Sequence, residues 1–318
     1  MLCRLIGAIA LAALSSLGAH AQTGRTIRFV VPFAPGGTAD ISGRIVAEQL
    51  TKSFGQTFFA ENRPGASGSV GAAEVARSAA DGYTLLLGNT PTVVINQFVF
   101  AAMPYDAARD FAPVSFVARV PNVLIVHPAL GVGSLRELIE RARAKPGSIN
   151  YGHSGAGTVL YLSGELLKAM AKIDIVPVPY KGSAPLLQDL LGGQLQMAID
   201  NVPTALPLIR SGRVLALGVT SAKPLDVLPG VPPIGSVISG YEAVAFFALM
   251  APAATPQPII ARLSAEMDKI LHRADVIERF VQLGAEPIGG TPAELASFIA
   301  SETGKWREMV RISGAKAE

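Results

Sequence analysis

Val30-Val31-Pro32-Phe33-Ala34-Pro35-Gly36-Gly37-Thr38-Ala39-Asp40-Ile41-Ser42-Gly43-Arg44 reads as a strand running through a glycine turn straight into a helix. Thr26 to Val31 is β-branched and aromatic, as a buried strand requires. Pro32 and Pro35 end it, and Gly36 and Gly37 turn the backbone where a side chain would clash. Thr38 is placed as the N-cap, after which Ile41, Ile45, Val46 and Leu50 recur at helical spacing. Such a helix start presents unpaired N–H groups and attracts anions without a cationic side chain. Alone, the stretch is as well explained by an ordinary βα turn.

A second loop changes that. Ile149-Asn150-Tyr151-Gly152-His153-Ser154-Gly155-Ala156-Gly157-Thr158 has the same grammar, with Leu160, Leu162, Leu166 and Leu167 carrying the helix. Two such helix starts, one in each half of the chain, face each other if the halves enclose a cleft, and together they grip a small anion. Rival readings of this loop are weaker. Ala156 stands where a hydrolase nucleophile elbow needs glycine, and only His272 follows Ser154 as a triad histidine. An exported serine hydrolase using Ser154 is therefore the alternative. Leu160 occupies the third glycine position of a dinucleotide fingerprint. His127, His153 and His272 are isolated, so no metal site and no cofactor is expected.

The whole chain is 318 residues, long enough for two domains. Residues 1–21 resemble a cleavable export signal: Arg4, an apolar run from Leu5 to Leu17, and Ala19-His20-Ala21. Mean hydropathy is +0.40, part of it owed to that leader, and no later run is long enough to span a bilayer. The single cysteine, Cys3, lies inside the leader. Without Arg4 there remain 26 basic against 24 acidic residues, an excess too small and too dispersed for a nucleic-acid partner. The expectation is a soluble, exported protein, and a monomer.

Strand and helix patterns alternate from Thr57 onward. Glu61 to Gly68 is glycine-rich, but no Gly-Lys-Ser/Thr follows, and it is read as a loop that packs and turns. Asn89 and Thr90 follow a buried strand, where turn residues and ligand contacts are both open. Ser134-Leu135-Arg136-Glu137 is a capping box. Lys181 is either an anion partner or a solvated loop lysine. Asp200 is read first as the cap of a helix from Pro203 to Arg210, and second as a contact for a ligand amino or hydroxyl group. Helices from about Pro256 to His272 and from Pro292 to Ile312 close the chain, with Trp306 in the core.

Several of these stretches resemble one family in order and spacing. They are Val31 to Asp40, Glu61-Asn62-Arg63-Pro64-Gly65-Ala66, Asp81-Gly82-Tyr83-Thr84-Leu85-Leu86, Tyr180-Lys181-Gly182, Gly212 to Ser221 and Ala251 to Pro256. The chain resembles the Bug-type extracytoplasmic solute receptors of tripartite tricarboxylate transporters over nearly its whole length. The resemblance implies an α/β, two-lobed periplasmic binding protein fold of the Venus flytrap, type II-like kind, with two crossovers. Lobe 1 would be residues 22–122 and 245–318, and lobe 2 residues 123–244. It also implies a carboxylate held by Phe33 to Asp40 and Ser154 to Thr158, and delivery to transporter membrane components or a sensor protein. The expected ligand contacts are Phe33, Pro35, Gly36, Gly37, Thr38, Asp40, Asn89, Thr90, Ser154, Ala156, Gly157, Thr158, Tyr161, Lys181 and Asp200. His153, Tyr161, Phe246 and Ala254 depart from the family's usual small residue, histidine, tryptophan and glycine, so the ligand's identity is not carried over.

Overall fold

A computed structural model describes residues 24–316; the expected leader lies outside the described residues. Strand β1 (Ile27–Val31) leads through the first glycine loop into α1 (Thr38–Phe54). Then come β2 (Phe58–Asn62), α2 (Ser69–Ala76), β3 (Thr84–Asn89) and β4 (Phe111–Val120). The middle of the chain contributes β5 (Asn122–Val126), α3 (Leu135–Ala144), β6 (Asn150–His153), α4 (Val159–Ala171) and β7 (Val176–Pro179). It continues with α5 (Ser183–Leu191), β8 (Met197–Asn201), α6 (Val202–Arg210) and β9 (Leu215–Val219). The chain closes with β10 (Ala245–Pro252), α7 (Gln257–Leu271), α8 (Ala274–Gln282), β11 (Glu286–Gly289) and α9 (Pro292–Ser313).

These strands form two sheets, giving the expected two-lobed α/β architecture. The first has the order β11-β4-β10-β3-β1-β2 and the second β7-β6-β8-β5-β9. In each, the strands feeding the glycine loops pair in parallel, and a strand next to a crossing runs antiparallel to its neighbours. The chain leaves the first sheet after Val120 and enters the second at Asn122, with only Pro121 between. It returns between Val219 and Ala245.

Strand β5 is apolar on both faces because it lies between two cores: Leu124 and Val126 join the larger cluster, Val123 and Ile125 the smaller. The larger cluster is continuous between the sheets, with α9 packed on both α4 and β4. Trp306 is fully buried there, and its Nε1 donates to Glu302 Oε2 at 2.8 Å. The capping box expected at Ser134 is altered. Ser134 accepts from Glu137 N, but the Glu137 carboxylate reaches Gly133 N at 2.8 Å instead of the cap residue's own N–H.

Helix α4 approaches β6 so closely that a Cβ on Gly164 would stand 2.3 Å from the ring of the fully buried Tyr151. Tyr151 is held in place by its hydroxyl, which donates to Glu165 Oε1 at 2.6 Å. Gly164→Ala is therefore expected to overpack the core, at a cost of about 1–3 kcal/mol. Thermal denaturation should show a melting temperature lower by several degrees; an unchanged value would mean that the ring has room to retreat.

Candidate functional site

Both glycine loops, as well as the starts of two further helices, open on one cleft of about 780 Å³. That volume lies in the range of small-molecule sites. Of the expected contacts, Phe33, Pro35, Gly37, Thr38, Asn89, Ser154, Ala156, Thr158 and Lys181 line it. So do Val159 at the head of α4, Ser183 at the head of α5 and Asn201, the N-cap of α6. First-turn N–H groups have no intrahelical partners, and each helix start carries partial positive charge. Lys181, exposed at the rim, is the single charged residue among the described lining. The walls are otherwise largely apolar, with Phe33, Phe100, Phe246 and Phe247 prominent. The cleft thus offers anion-seeking poles and no opposing carboxylate.

Local chemistry explains how the first loop is shaped. Thr38 is not the N-cap: Gly37 is, with no side-chain cap, and Thr38 is the first helical residue. The loop is held from inside the helix by Asp40, whose carboxylate accepts from Gly36 N at 2.9 Å, Asn62 Nδ2 at 3.0 Å and Arg44 Nε at 2.9 Å. Burial pushes the Asp40 pKa up, but bonds from Arg44, Gly36 and Asn62 outweigh it and hold the carboxyl below its ordinary value. Freed from capping, the Thr38 hydroxyl is buried with no hydrogen-bond partner. An unsatisfied buried polar atom is costly. Thr38 lies on the cleft lining, so this donor is left without a protein partner beside the cleft.

In the second loop Thr158 is the N-cap, its Oγ1 accepting from Tyr161 N. His153 Nδ1 accepts from Gly155 N at 3.2 Å, which fixes the turn, and Gly155 itself needs the positive φ of 123° that glycine permits.

Six expected contacts are not on the lining. Gly36 and Asp40 bond each other. Thr90 Oγ1 accepts from Phe246 N at 2.8 Å, a buried link into β10. Gly157 N donates to Ser67 Oγ at 3.1 Å, joining the two lobes. The Tyr161 ring packs on His153, their centroids 4.7 Å apart. Asp200 neither caps a helix nor lines the cleft: fully buried in β8, it accepts from Ser183 Oγ, Thr204 Oγ1 and Asn201 N.

Another correction concerns Pro64 to Gly68, expected only to pack and turn. It lines the cleft, and Ala66 and Ser67 take the left-handed conformation at φ 44° and 51°. Non-glycine residues in that region are strained and cluster at functional sites. Asn96 Nδ2 holds this turn through Ser67 O and Ser69 Oγ. Residues such as Ser67, Phe100, Asn201 and Phe247 escaped the sequence reading. Asn201 alone had a usable signal, since it ends a buried strand just as Asn89 does.

The hydrolase alternative gains nothing from this geometry. His272 is not on the cleft; it ends α7, its Nδ1 2.8 Å from the Asp268 carbonyl. No cluster of three or more histidine, cysteine or acidic side chains that could hold a metal occurs among the described residues. No helix among them is long and apolar enough to cross a membrane.

His153 and Asp200 tilt stability in opposite directions with pH. Burial lowers the His153 imidazole to about 4. Its unfolded value is about 6.5, so the unfolded chain binds more protons between these limits and stability falls as pH falls through them. Burial pushes the Asp200 carboxyl up to about 6, against lowering bonds from Ser183, Thr204 and Asn201. Its unfolded value is about 3.9, so here the folded chain binds more protons and stability falls as pH rises. Each shift corresponds to about 3 kcal/mol. Relative to the parent chain, Asp200→Asn should lose more stability on acidification from pH 6 to 4, and His153→Gln less. Urea unfolding across that range checks this, and parallel profiles for all three proteins would refute it.

Comparison with known proteins agrees with this geometry. Residues 42–314 match the family described as tripartite tricarboxylate transporter family receptor. Protein BugT of Bordetella pertussis is 38% identical over 304 residues, covering 94% of this chain and 93% of BugT. Among solved structures, R. palustris Rpa4515 with adipate superposes with a TM-score of 0.89 at 38% identity, covering 92% of this chain and 98% of that one. MatC from Rhodopseudomonas palustris with bound malate gives 0.84 at 33% identity, covering 90% and 99%. With its two sheets, its cleft and a match over most of its length, the chain belongs to the Bug-type receptors of the tripartite tricarboxylate transporter family.

Proposed function

We propose that this protein is an exported, monomeric periplasmic receptor that captures a small carboxylate between its lobes and delivers it to a membrane transporter or a sensor. Lobe 1 comprises residues 22–122 and 245–318, and lobe 2 residues 123–244. A carboxylate entering the open cleft meets the first-turn amides of α1 and the Thr38 hydroxyl. Lobe 2 then swings in, and amides near Ala156 and Thr158 complete the grip. Asn89 and Ser154 add polar contacts, Lys181 attracts the anion at the rim, and Phe33 and Pro35 pack against its body. Gly36, Asp40, Thr90, Gly157, Tyr161 and Asp200 hold these groups in place from behind.

The observation that carries this reading is the partnerless, buried Thr38 Oγ1 on the lining of a cleft whose helix starts all favour an anion. Relatives solved with adipate and with malate support a carboxylate ligand. Charge-assisted hydrogen bonds contribute roughly 1.5–3 kcal/mol each. Micromolar affinity needs about 8 kcal/mol, so a handful suffices before ordering costs. The closed lobes form the face that a membrane partner recognises, a two-state shift driven by ligand.

Thermal-shift measurements on the chain from Gln22 test the reading with adipate, malate, citrate, glutamate and benzoate. Ligand at a hundred times its dissociation constant adds about 2.7 kcal/mol, a rise of several degrees. A rise with one acid, absent with its amide, is the expected result. Silence across the panel after unfolding and refolding to strip trapped ligand would overturn it.

Thr38→Val should fold at least as stably, because it removes an orphan hydroxyl, yet bind about tenfold more weakly. Calorimetry showing unchanged affinity would sink the first-loop assignment. Closure has its own probe. A Cβ on Gly157 would stand 2.6 Å from Asn96 Oδ1 and 3.0 Å from Ser67 Cβ on the opposite lobe. Gly157→Ala should hold the lobes apart and weaken binding without touching the anion-binding amides.

A further inference from the structure

Asn122 stands at the first crossing between the sheets and is fully buried. Every polar group it carries is spent on a connection. Its N–H donates to Thr220 Oγ1 at 3.0 Å, and its carbonyl accepts from Thr220 N at 2.9 Å. Its Nδ2 donates to the Ala243 carbonyl at 3.1 Å, and Ala243 N donates in turn to Thr220 O. Thr220 and Ala243 both belong to the returning connection, so one side chain knots the two crossings together. The remaining atom, Asn122 Oδ1, accepts from Asn201 Nδ2.

Asn201 is the only member of this knot on the cleft lining. It ends β8 and opens α6, and its Oδ1 has no hydrogen-bond partner among the described residues. The opposite lobe carries a counterpart: Asn89 ends β3, lines the same cleft and is 4% exposed. Its Oδ1 is committed to Thr92 N and Oγ1. Each carboxamide is thus fixed by one edge and faces the cleft at the end of a central strand.

We propose that Asn201 contacts the bound ligand, and that Asn122 ties this contact to both crossings, so that occupancy of the cleft biases the lobes toward closure. The proposal rests on the receptor reading above. A ligand polar group that engages the Asn201 amide orders it, and the ordered amide holds Asn122 against Ala243 and Thr220. The crossings are then pinned in the arrangement that brings the helix starts together. Asn201 supplies affinity directly. Asn122, which touches nothing in the cleft, is a positioning residue whose effect reaches the ligand only through the closed-state population.

The test uses the chain from Gln22, which lacks Cys3, with spin labels on cysteines replacing the exposed Lys52 and Lys145. Inter-label distances and affinity are measured with adipate for the parent, Asn201→Ala and Asn122→Ser. Asn201→Ala should bind about tenfold more weakly. Asn122→Ser should lose a similar factor and retain an open population at saturating adipate that the parent lacks. If Asn122→Ser fails to fold, Thr220→Val breaks the same knot from its other side and is read in the same way. A lower melting temperature with unchanged affinity and unchanged closure would make the knot purely structural and overturn the proposal. A parent chain that responds neither to adipate nor to any other acid of the panel would overturn the receptor reading and this proposal together.

Discussion

The first N–H groups of a helix have no carbonyl four residues earlier to bond, and the structure is arranged around where those groups end up. The starts of α1, α4, α5 and α6 all reach one cleft, so their amides remain available to something that is not protein. The parallel strand pairings, β1 with β2 and β3, and β6 with β7 and β8, serve this end. In a parallel arrangement the loops after the strands emerge on the same edge, each feeding a helix that starts there. Two such edges facing each other produce a positively polarised gap without a buried arginine.

Carboxylates are kept out of that gap by being used elsewhere. Asp40 braces the first loop, and Asp200 ties α5 to α6. The residues that look most chemical in the sequence are therefore struts, while backbone and hydroxyl groups line the cleft. A gap lined by dipoles holds an anion less tenaciously than a buried ion pair would. The strained turn at Ala66 and Ser67 belongs to the same design: it places the Ser67 hydroxyl where Gly157 N meets it from the other lobe.

The extent to which all this was legible in the chain differs by level. Strand-loop-helix units announce themselves through local chemistry, and the elements at Ile27–Val31, Thr38–Phe54 and Val159–Ala171 fall where β-branched runs, glycines and leucine spacing place them. Positions on the cleft lining were legible where they sit next to such a signal, as Gly37, Thr38, Ala156 and Thr158 do. They were illegible where the contact depends on a partner far along the chain. Nothing near Ser67 announces Gly157, and nothing near Thr90 announces Phe246.

By itself the amino-acid sequence determined the fold class, the two glycine loops and the membership of the family, because periodicity, turn residues and motif order are local properties of a chain. The tertiary structure alone decided which polar groups face the cleft and which are consumed in holding it. Asp40, Thr90 and Asp200 carry the same donors and acceptors in either role. What separates a strut from a group open to the cleft is whether another part of the protein satisfies those atoms first, and that is settled only when distant segments meet.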